Sequence, residues 1–364
     1  MNILFKILAA AMALLMLTAC LSGCEDKRNT DPTIDAPDTE PSTGGDFIKP
    51  PVYTVAIDHE ALPITLKAQI GKAELDLYKK IVKAYLDFGN SVPFEAGVKY
   101  GAVIKLIEAY FPVIYSDTDG AKVNVENNTV GWTYKVETKA DHDKAVKAFT
   151  DKATEYLTGL RFDDSDTEVA MVIYEKLYKT IEYDELTPPA EEPEKPADAE
   201  EEETEKEPEP VYPKSLYTPI VHKKGNAEML SKAYCYLLTQ AGIDALDLLC
   251  TFEGETGPQN FDFLAVKLED KWYYSDPAEG VRYDSFTRFA FSDTELSGMG
   301  LKAPANALWN AFSAVGLETV IICDSNRFFD LTSGANKVEL NTAKDSMLFE
   351  TDIGTKWNFT RLHG

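Results

Sequence analysis

Positive charge is scarce in this chain, since 36 lysines and arginines face 61 aspartates and glutamates, for a net charge of −25. Nucleic acids are polyanions that proteins bind through lysine and arginine, so this charge balance argues against nucleic acid as a partner. The same excess of negative charge favours solubility and offers no electrostatic attraction to anionic lipid.

Residues that commonly hold metals or cofactors are also scarce. The sequence has no glycine-rich phosphate loop and no G-x-S-x-G motif, two signatures of nucleotide binding and of serine hydrolases. Its histidines form no metal-ligand spacing. They are His59, His142, His222 and His363. We therefore expect no cofactor and no bound metal.

The N-terminus has the pattern of a targeting signal. Lys6 is the only charged residue before Glu25, and residues 7–17 are continuously apolar. This run is too short and wrongly flanked for a membrane-spanning helix, which needs about 20 apolar residues. We predict a cleaved signal peptide over residues 1–23.

Two successive segments, 17–20 (LTAC) and 21–24 (LSGC), resemble the cleavage boxes of bacterial lipoproteins. In that family the signal is cut before the cysteine, whose sulfur receives a diacylglyceryl group. Cys24 is favoured because charged sequence begins directly after it, and Cys20 is the alternative. The resemblance implies a protein held by lipid at the extracytoplasmic face of the cell membrane.

Two low-complexity segments divide the rest of the chain. Residues 24–46 hold almost no apolar residues, which predicts a disordered tether. Residues 188–210 are rich in Pro and Glu, and we predict an extended, solvated acidic loop because proline breaks helices and like charges repel. We predict an N-terminal α+β domain over residues 47–162 and a second domain over 163–364 that carries the acidic loop.

Apolar periodicity predicts the main elements. Helices are predicted over residues 73–88, 98–110, 141–157 and 167–181. Strands are predicted over residues 113–115, 121–125, 130–136, 247–252, 263–268, 271–275, 318–323, 337–340 and 357–361. The aspartates Asp163, Asp164 and Asp166 are interpreted as a helix N-cap and linker.

Two segments carry the strongest functional signal. Residues 225–243 read GNAEMLSKAYCYLLTQAGI, and residues 261–277 read FDFLAVKLEDKWYYSDP. They resemble two patterns of the transglutaminase-like superfamily, roughly G-x-C-x-x-x-A-x-x-x-x-x-L-L-x-x-x-G-I and H-x-W-N-x-V-x-L-x-x-x-W-Y-x-x-D-P. The resemblance covers roughly residues 167–291 and implies a papain-like α+β core, in which a helix packs on an antiparallel sheet.

The resemblance also implies that the family's chemistry is lost. Ala227 stands at the position of the nucleophilic cysteine and Phe261 at that of the histidine, so that only Asp276 of the triad remains. Such catalysis needs a thiolate, an imidazole that shuttles its proton and a carboxylate that orients the imidazole. We therefore predict a degenerate enzyme that binds or scaffolds peptide or cell-wall ligands.

An active cysteine-dependent enzyme with a displaced nucleophile is the alternative, and a purely structural envelope protein is a third hypothesis. Cys235 lies eight residues after Ala227, about 12 Å along a helix, and is better explained as a buried, inert thiol. His222 precedes the helix but has no evident thiol partner. We interpret both residues as structural.

The aromatic residues near the lost histidine have two interpretations. Side chains alternate along a strand, so some of them must face the core. The others would line the vacated cleft as a platform for a peptide or a sugar. The candidates for this platform are Phe263, Trp272 and Tyr274.

Overall fold

The computed structural model describes most of the chain after residue 51. The described residues are 52–111, 122–124, 126–134, 136–161, 164–184, 215–248, 251–254, 257–302, 321–332, 335–341, 346–351 and 356–360. The predicted signal peptide, tether, acidic loop and strand over 113–115 lie outside them, as do Cys20 and Cys24.

The longer helices follow the predicted apolar spacing. The helices in the described residues are α1 Ile64–Gln69, α2 Lys72–Leu86, α3 Tyr100–Tyr110, α4 Lys139–Tyr156, α5 Asp166–Thr180, α6 Ala227–Gln240, α7 Pro277–Tyr283, α8 Asp293–Gly298 and α9 Phe329–Thr332. A short π-helix covers Thr218–His222. Helices α2 to α5 confirm the four predicted helices, with boundaries that differ by at most two residues. None of the described helices combines the length and the apolar character needed to cross a bilayer.

Helix α5 begins at a capping box. The Ser165 hydroxyl accepts a hydrogen bond from the Glu168 N–H at 3.3 Å, and the Glu168 carboxylate accepts one from the Ser165 N–H at 2.7 Å. The N-cap is therefore Ser165, and the interpretation of its neighbouring aspartates as the cap is wrong. Asp164 instead accepts a hydrogen bond from the Arg161 N–H at 3.0 Å.

The strands form several small sheets. They are β1 Val52–Thr54, β2 Ser91–Pro93, β3 Lys122–Asn124, β4 Thr129–Gly131, β5 Thr158–Arg161, β6 Glu182–Tyr183, β7 Lys224–Gly225, β8 Ala245–Asp247, β9 Thr251–Gly254, β10 Gly257–Asn260, β11 Leu264–Leu268, β12 Lys271–Ser275, β13 Leu301–Lys302, β14 Ala335–Asn341, β15 Ser346–Thr351 and β16 Lys356–Thr360. The sheet orders are β1-β5, β2-β4-β3, β10-β9-β13, β12-β11-β8 and β14-β15-β16, all antiparallel, while β6 and β7 pair in parallel. The fold class is therefore α+β with small antiparallel sheets, as predicted.

Some predicted strands differ from the observed ones. The strand predicted over 247–252 is split between β8 and β9, which belong to different sheets. The strand predicted over 318–323 is wrong at residues 321–323, which adopt no regular structure. The reason is that the backbone of Cys323 pairs with the start of α8, where the Asp293 N–H donates to its carbonyl oxygen at 2.7 Å. The observed strands that match no predicted strand are β1, β2, β5, β6, β7, β10, β13 and β15.

Helix α6 is the central element of this part of the fold. It packs on β8 and β11 of one sheet and on the helices α5 and α7. From Met229 to Gln240 all its residues except Lys232 are buried. The Tyr234 hydroxyl donates to the Ala170 carbonyl oxygen of α5 at 3.0 Å. A helix that is buried on nearly all sides forms the core of a domain instead of its surface.

The hydrophobic core continues across the boundary predicted at residues 162 and 163. All described residues belong to one compact unit with one core cluster. Near the end of α6, Gln240 donates to the Asp58 carbonyl oxygen at 2.9 Å and accepts from the Asp58 N–H at 2.8 Å. The two-domain division stays a prediction, but the residues on its two sides pack together.

We expect Gly280→Ala in α7 to destabilise the protein by about 2 kcal/mol, because the added methyl group overpacks the core. An ideal Cβ at Gly280 would lie 2.6 Å from the Tyr174 hydroxyl and ring. Tyr174 is held in place, since its hydroxyl lies 2.6 Å from the Thr287 carbonyl oxygen and 3.0 Å from that of Asp276. Chemical unfolding of the variant and the wild type measures the difference.

The matched control is Gly298→Ala in α8, where an added Cβ meets no atom within 4 Å. Alanine is the better helix former, so this variant should be neutral or slightly more stable. Equal effects of the two substitutions would contradict the packing explanation.

Candidate functional site

The start of α6 is fixed by its N-cap. The Asn226 side-chain oxygen accepts a hydrogen bond from the Met229 N–H at 3.1 Å. The preceding residue, Gly225, pairs with Tyr183 in the parallel β6–β7 pair. Ala227 is the first residue of α6 and is half-buried, at the end of the helix whose dipole favours a thiolate. Its methyl group provides no nucleophile there.

Phe261 directly follows β10, in the short segment that leads to β11, and is half-buried. Its ring stacks on that of Phe263, with 5.2 Å between the ring centroids and 24° between the ring planes. The Phe263 ring in turn meets that of Phe291 edge-on at 5.3 Å. A column of apolar rings therefore occupies the place for which the resemblance implies an imidazole.

Asp276 is the N-cap of α7. One of its carboxylate oxygens accepts a hydrogen bond from the Glu279 N–H at 3.4 Å, and the other pairs with the Arg288 guanidinium at 3.2 Å. Burial raises the pKa of Asp276 to about 6, while Arg288 favours its charged form. The Asp276 carboxylate thus holds a helix start and an arginine.

The structure brings the neighbours of two predicted triad positions together. Glu228, next to Ala227, and Asp262, next to Phe261, interact electrostatically, so that the start of α6 lies near the entry to β11. The Asp276 carboxylate has other partners, the Arg288 guanidinium and the Glu279 N–H. The correspondence of these three positions to a catalytic triad stays a prediction.

A charged cluster that the sequence interpretation missed lies beside Ala227 and Phe261. We call it the Lys232 cluster. Its members are Glu228, Lys232, Asp247 and Asp262. Lys232 and Glu228 are one turn apart on α6, and the Lys232 ammonium lies 2.6 Å from the Glu228 carboxylate. The cluster is thus centred on a single cation.

Asp247 forms the buried end of the Lys232 cluster. It is the last residue of β8, pairs with Leu264 of β11 and is only 3% exposed. Its backbone N–H donates to the Tyr110 hydroxyl oxygen at 3.3 Å. Its carboxylate oxygen Oδ2 is buried and has no hydrogen-bond partner among the described residues. Such buried, unpartnered polar atoms are rare in native proteins.

The cluster shifts the proton affinities of its members. Burial raises the pKa of Asp247 to about 7, the Lys232 ammonium opposes this shift, and the charges of Asp262 and Glu228 add to it. Burial and the charge of Glu228 also raise the pKa of Asp262. Burial acts to lower the pKa of Lys232, but the surrounding carboxylates raise it overall. Lys232 therefore stays charged, while Asp247 titrates near neutral pH.

One sequence signal could have identified Asp247. It lies in the run IDALDLL, residues 243–249, where two aspartates stand among apolar residues at the start of a predicted strand. Charged residues are seldom fully buried unless they are paired or functional.

The thiols and the histidine that could replace the lost catalysts lie in unsuitable environments. Cys235 is fully buried on α6, and burial raises the pKa of its thiol well above the usual value, as do the charges of Asp247 and Asp244. Burial likewise raises the pKa of the Cys323 thiol. His222 is exposed and its ring lies 5.3 Å from that of Tyr217. The buried thiol predicted for Cys235 is confirmed.

Two of the three aromatic residues considered for a ligand platform lie in the core. Phe263 and Tyr274 are each 1% exposed, and the Tyr274 hydroxyl donates to the Asp293 carboxylate at 3.0 Å. Their burial agrees with the core interpretation instead of the platform interpretation. Of the three, only Trp272 is partly exposed.

Among the described residues, no three His, Cys, Asp or Glu side chains converge in a way that could hold a metal ion. In the Lys232 cluster the positive charge is supplied by an ammonium instead. His142 is buried among aromatic rings, 4.9 Å from Tyr134 and 5.2 Å from Tyr85, and burial lowers its pKa.

No protein-family model matches the chain, and no curated protein matches it significantly. The likeness to transglutaminase-like proteins therefore rests on the two segments quoted above.

We expect Asp247→Asn to gain stability relative to the wild type as the pH rises. The folded wild type keeps the Asp247 proton up to about pH 7, whereas the unfolded chain releases it near pH ~3.9, so the wild type loses stability between these values. Asparagine does not titrate. The difference in unfolding free energy should therefore change by on the order of 3–4 kcal/mol from about pH 4 to about pH 8. Chemical unfolding at both pH values measures it.

The matched control is Asp270→Asn, because the Asp270 side chain is fully exposed in the β11–β12 turn. This variant should show no comparable change with pH. A stability difference for Asp247→Asn that stays constant with pH would mean that Asp247 does not titrate with a raised pKa.

Proposed function

We propose that this chain is a membrane-anchored, extracytoplasmic lipoprotein whose transglutaminase-like domain binds or scaffolds peptide or cell-wall ligands and does not catalyse a reaction. The observation that carries the proposal is the pair Ala227 and Phe261, which replaces the nucleophile and the proton-transfer group of the family that the sequence resembles.

The environment of Cys235 argues against the alternative of a displaced nucleophile. A catalytic thiol is reactive because its pKa is lowered by a positive charge or a helix N-terminus, and it must be accessible to the substrate. Cys235 has the opposite properties, since it is fully buried and its pKa is raised. The α6 dipole gives it little help, because Cys235 is the ninth residue of the helix.

The ion pair of Asp276 supports the same conclusion. In an active triad this carboxylate would orient an imidazole. Here its oxygens accept from the Glu279 N–H and pair with Arg288. The carboxylate therefore has a structural use that does not depend on catalysis.

The Lys232 cluster supports a binding role. A buried carboxylate without a hydrogen bond destabilises the fold, and titratable groups with strongly shifted pKa values concentrate at functional sites. The Asp247 pKa is raised and its oxygen Oδ2 has no hydrogen-bond partner among the described residues, while its cluster includes the sequence neighbours of both substituted positions. A site can thus retain polar groups for a ligand after its catalysts are lost.

We expect Cys235 and Cys323 to react slowly with a thiol-directed probe in the native protein, because buried thiols react only after local opening. Their rates should rise on the order of 100-fold or more when the protein is unfolded. Site-resolved mass spectrometry after timed alkylation across a range of pH values measures both rates. Rapid labelling of Cys235 with a depressed pKa would favour the displaced-nucleophile enzyme.

A turnover assay provides the complementary test. Incubation of the purified protein with peptides and cell-wall fragments should give no cleaved or amide-crosslinked product by mass spectrometry. Product formation that disappears in Cys235→Ser would refute the non-catalytic role.

We expect Cys24→Ala, expressed in a bacterial host, to abolish the incorporation of a labelled fatty acid and to move the protein out of the membrane fraction. Cys20→Ala is the matched control, because it removes the other candidate cysteine and should leave lipidation intact. Loss of labelling in Cys20→Ala alone would assign the lipid to Cys20, and full labelling in both variants would contradict a lipid on either cysteine.

A further inference from the structure

The Lys232 cluster contains one ammonium group and three carboxylates. Lys232 supplies the positive charge, and Glu228, Asp247 and Asp262 supply the negative charges. The Lys232 ammonium bonds to Glu228 at 2.6 Å, and the Asp247 oxygen Oδ2 has no hydrogen-bond partner among the described residues. When all four groups are charged, the cluster therefore has more acceptors than the donors of the described residues satisfy.

Exposure increases from the inner to the outer end of the cluster. Asp247 is buried, the Lys232 side chain is 16% exposed, and the Glu228 side chain is 45% exposed. Asp262 also reaches the surface, although its carboxylate is partly desolvated. A ligand can therefore reach the Glu228 and Asp262 carboxylates, whereas it cannot reach the Asp247 carboxylate.

The Lys232 ammonium has two candidate partners, the outer carboxylate of Glu228 and the inner carboxylate of Asp247. Its charge favours the ionised form of Asp247, so the two groups lie within electrostatic reach, yet its hydrogen bond goes to Glu228. A lysine has a long, flexible stem, and its ammonium can change partners by rotating side-chain bonds. Moving inward would satisfy Asp247 and leave Glu228 without its cation.

A second buried polar group lies on the same face of α6. Glu228, Ser231 and Lys232 are spaced three and four residues apart, which places them on one side of a helix. The Ser231 hydroxyl is fully buried and has no hydrogen-bond partner among the described residues. A purely structural face would rarely leave both Ser231 and Asp247 without partners.

We propose that Glu228 and Asp262 bind the ammonium group of a ligand, and that Lys232 then turns inward to pair with Asp247. This rests on the proposed function, because it names the ligand chemistry of the same site. Binding of one cation would pair Asp247 with Lys232 and give Glu228 and Asp262 a new positive partner, so that charge repulsion in the cluster falls.

The ligand chemistry follows from the charge and the surroundings. An ammonium group provides several N–H donors on a compact cation, which suits carboxylates on two different elements. The Phe261 ring lies beside Asp262 in sequence and is partly exposed, and it can pack on the apolar part of such a ligand. A free amino group on a sugar and a lysine side chain of a peptide share this chemistry.

The pH dependence of binding is a property of the whole cluster. The groups whose charges shift the pKa of Asp247 are Lys232 and Glu228 from α6 and Asp262 from the segment before β11. The Cys235 thiol and the Tyr110 hydroxyl are neutral at physiological pH because their pKa values are raised by burial. Asp247 is therefore the group whose ionisation increases the cluster's attraction for a cation as the pH rises from about 6 to about 8.

The experiment measures the binding of matched amine and amide pairs to the purified full chain in detergent. The pairs are Nα-acetyl-lysine amide against its Nε-acetylated form, and glucosamine against N-acetylglucosamine. In each pair acetylation removes the positive charge and keeps the rest of the molecule. Calorimetry or ligand-observed NMR should detect at least one amine and neither acetylated form, and the amine that binds identifies the peptide or the sugar as the source.

Variants locate the site. Glu228→Gln and Asp262→Asn should each weaken amine binding about tenfold, the effect of about 1.4 kcal/mol. Asp247→Asn should remove the increase of affinity with pH, because Lys232 then has no inner carboxylate. Asp270→Asn is the control and should bind like the wild type, since Asp270 lies in the exposed turn away from the cluster. Thermal unfolding of each variant confirms that it is folded.

The outcomes separate this inference from the proposed function. Equal binding of the amine and its acetylated form, or no binding of either amine by the folded wild type, overturns the ammonium site and leaves a non-catalytic binding role intact. Amine binding accompanied by a covalent product of that amine overturns the non-catalytic role and retains the ammonium site. An unchanged pH dependence in Asp247→Asn overturns the inward movement of Lys232.

Discussion

The burial of α6 constrains the rest of the described structure. This helix packs on β8, β11, α5 and α7 at once, so each of these elements presents an apolar face to it. The charged residues of α6 lie only in its first two turns, where the packing opens. The N-cap Asn226 fixes where these turns begin, and they place Glu228 and Lys232 at the edge of the core.

The packing of β8 against α6 buries the carboxylate of Asp247 in the Lys232 cluster. Asp247 ends β8 with its backbone hydrogen-bonded in the sheet and to Tyr110, so the carboxylate cannot leave the interior without breaking these bonds. The charge of Lys232 favours the ionised form of Asp247, but the Lys232 hydrogen bond goes to Glu228. The Asp247 oxygen Oδ2 thus has no hydrogen-bond partner in the part of the chain that the structure describes, and in the proposed site a bound cation would free Lys232 to supply one.

Much of the fold could be predicted from the sequence because its signals are local. The apolar spacing in α2 and α5 is repeated over several turns, and such long periodic patterns determine helix type and approximate length. Short strands are less predictable. Strands β8 and β9 form one apolar run in the sequence but join different sheets, and the backbone around Cys323 pairs with a helix start, because strand partners are chosen by distant residues.

The sequence by itself determined that Ala227 and Phe261 carry neither a nucleophile nor a proton-transfer group, since this depends only on residue type. It also determined the likeness from which the transglutaminase-like hypothesis comes. Only the tertiary structure decided that Asp276 pairs with Arg288 and that Asp247 interacts electrostatically with Lys232. Burial and electrostatic coupling depend on which distant segments pack together, and no local pattern encodes these distances.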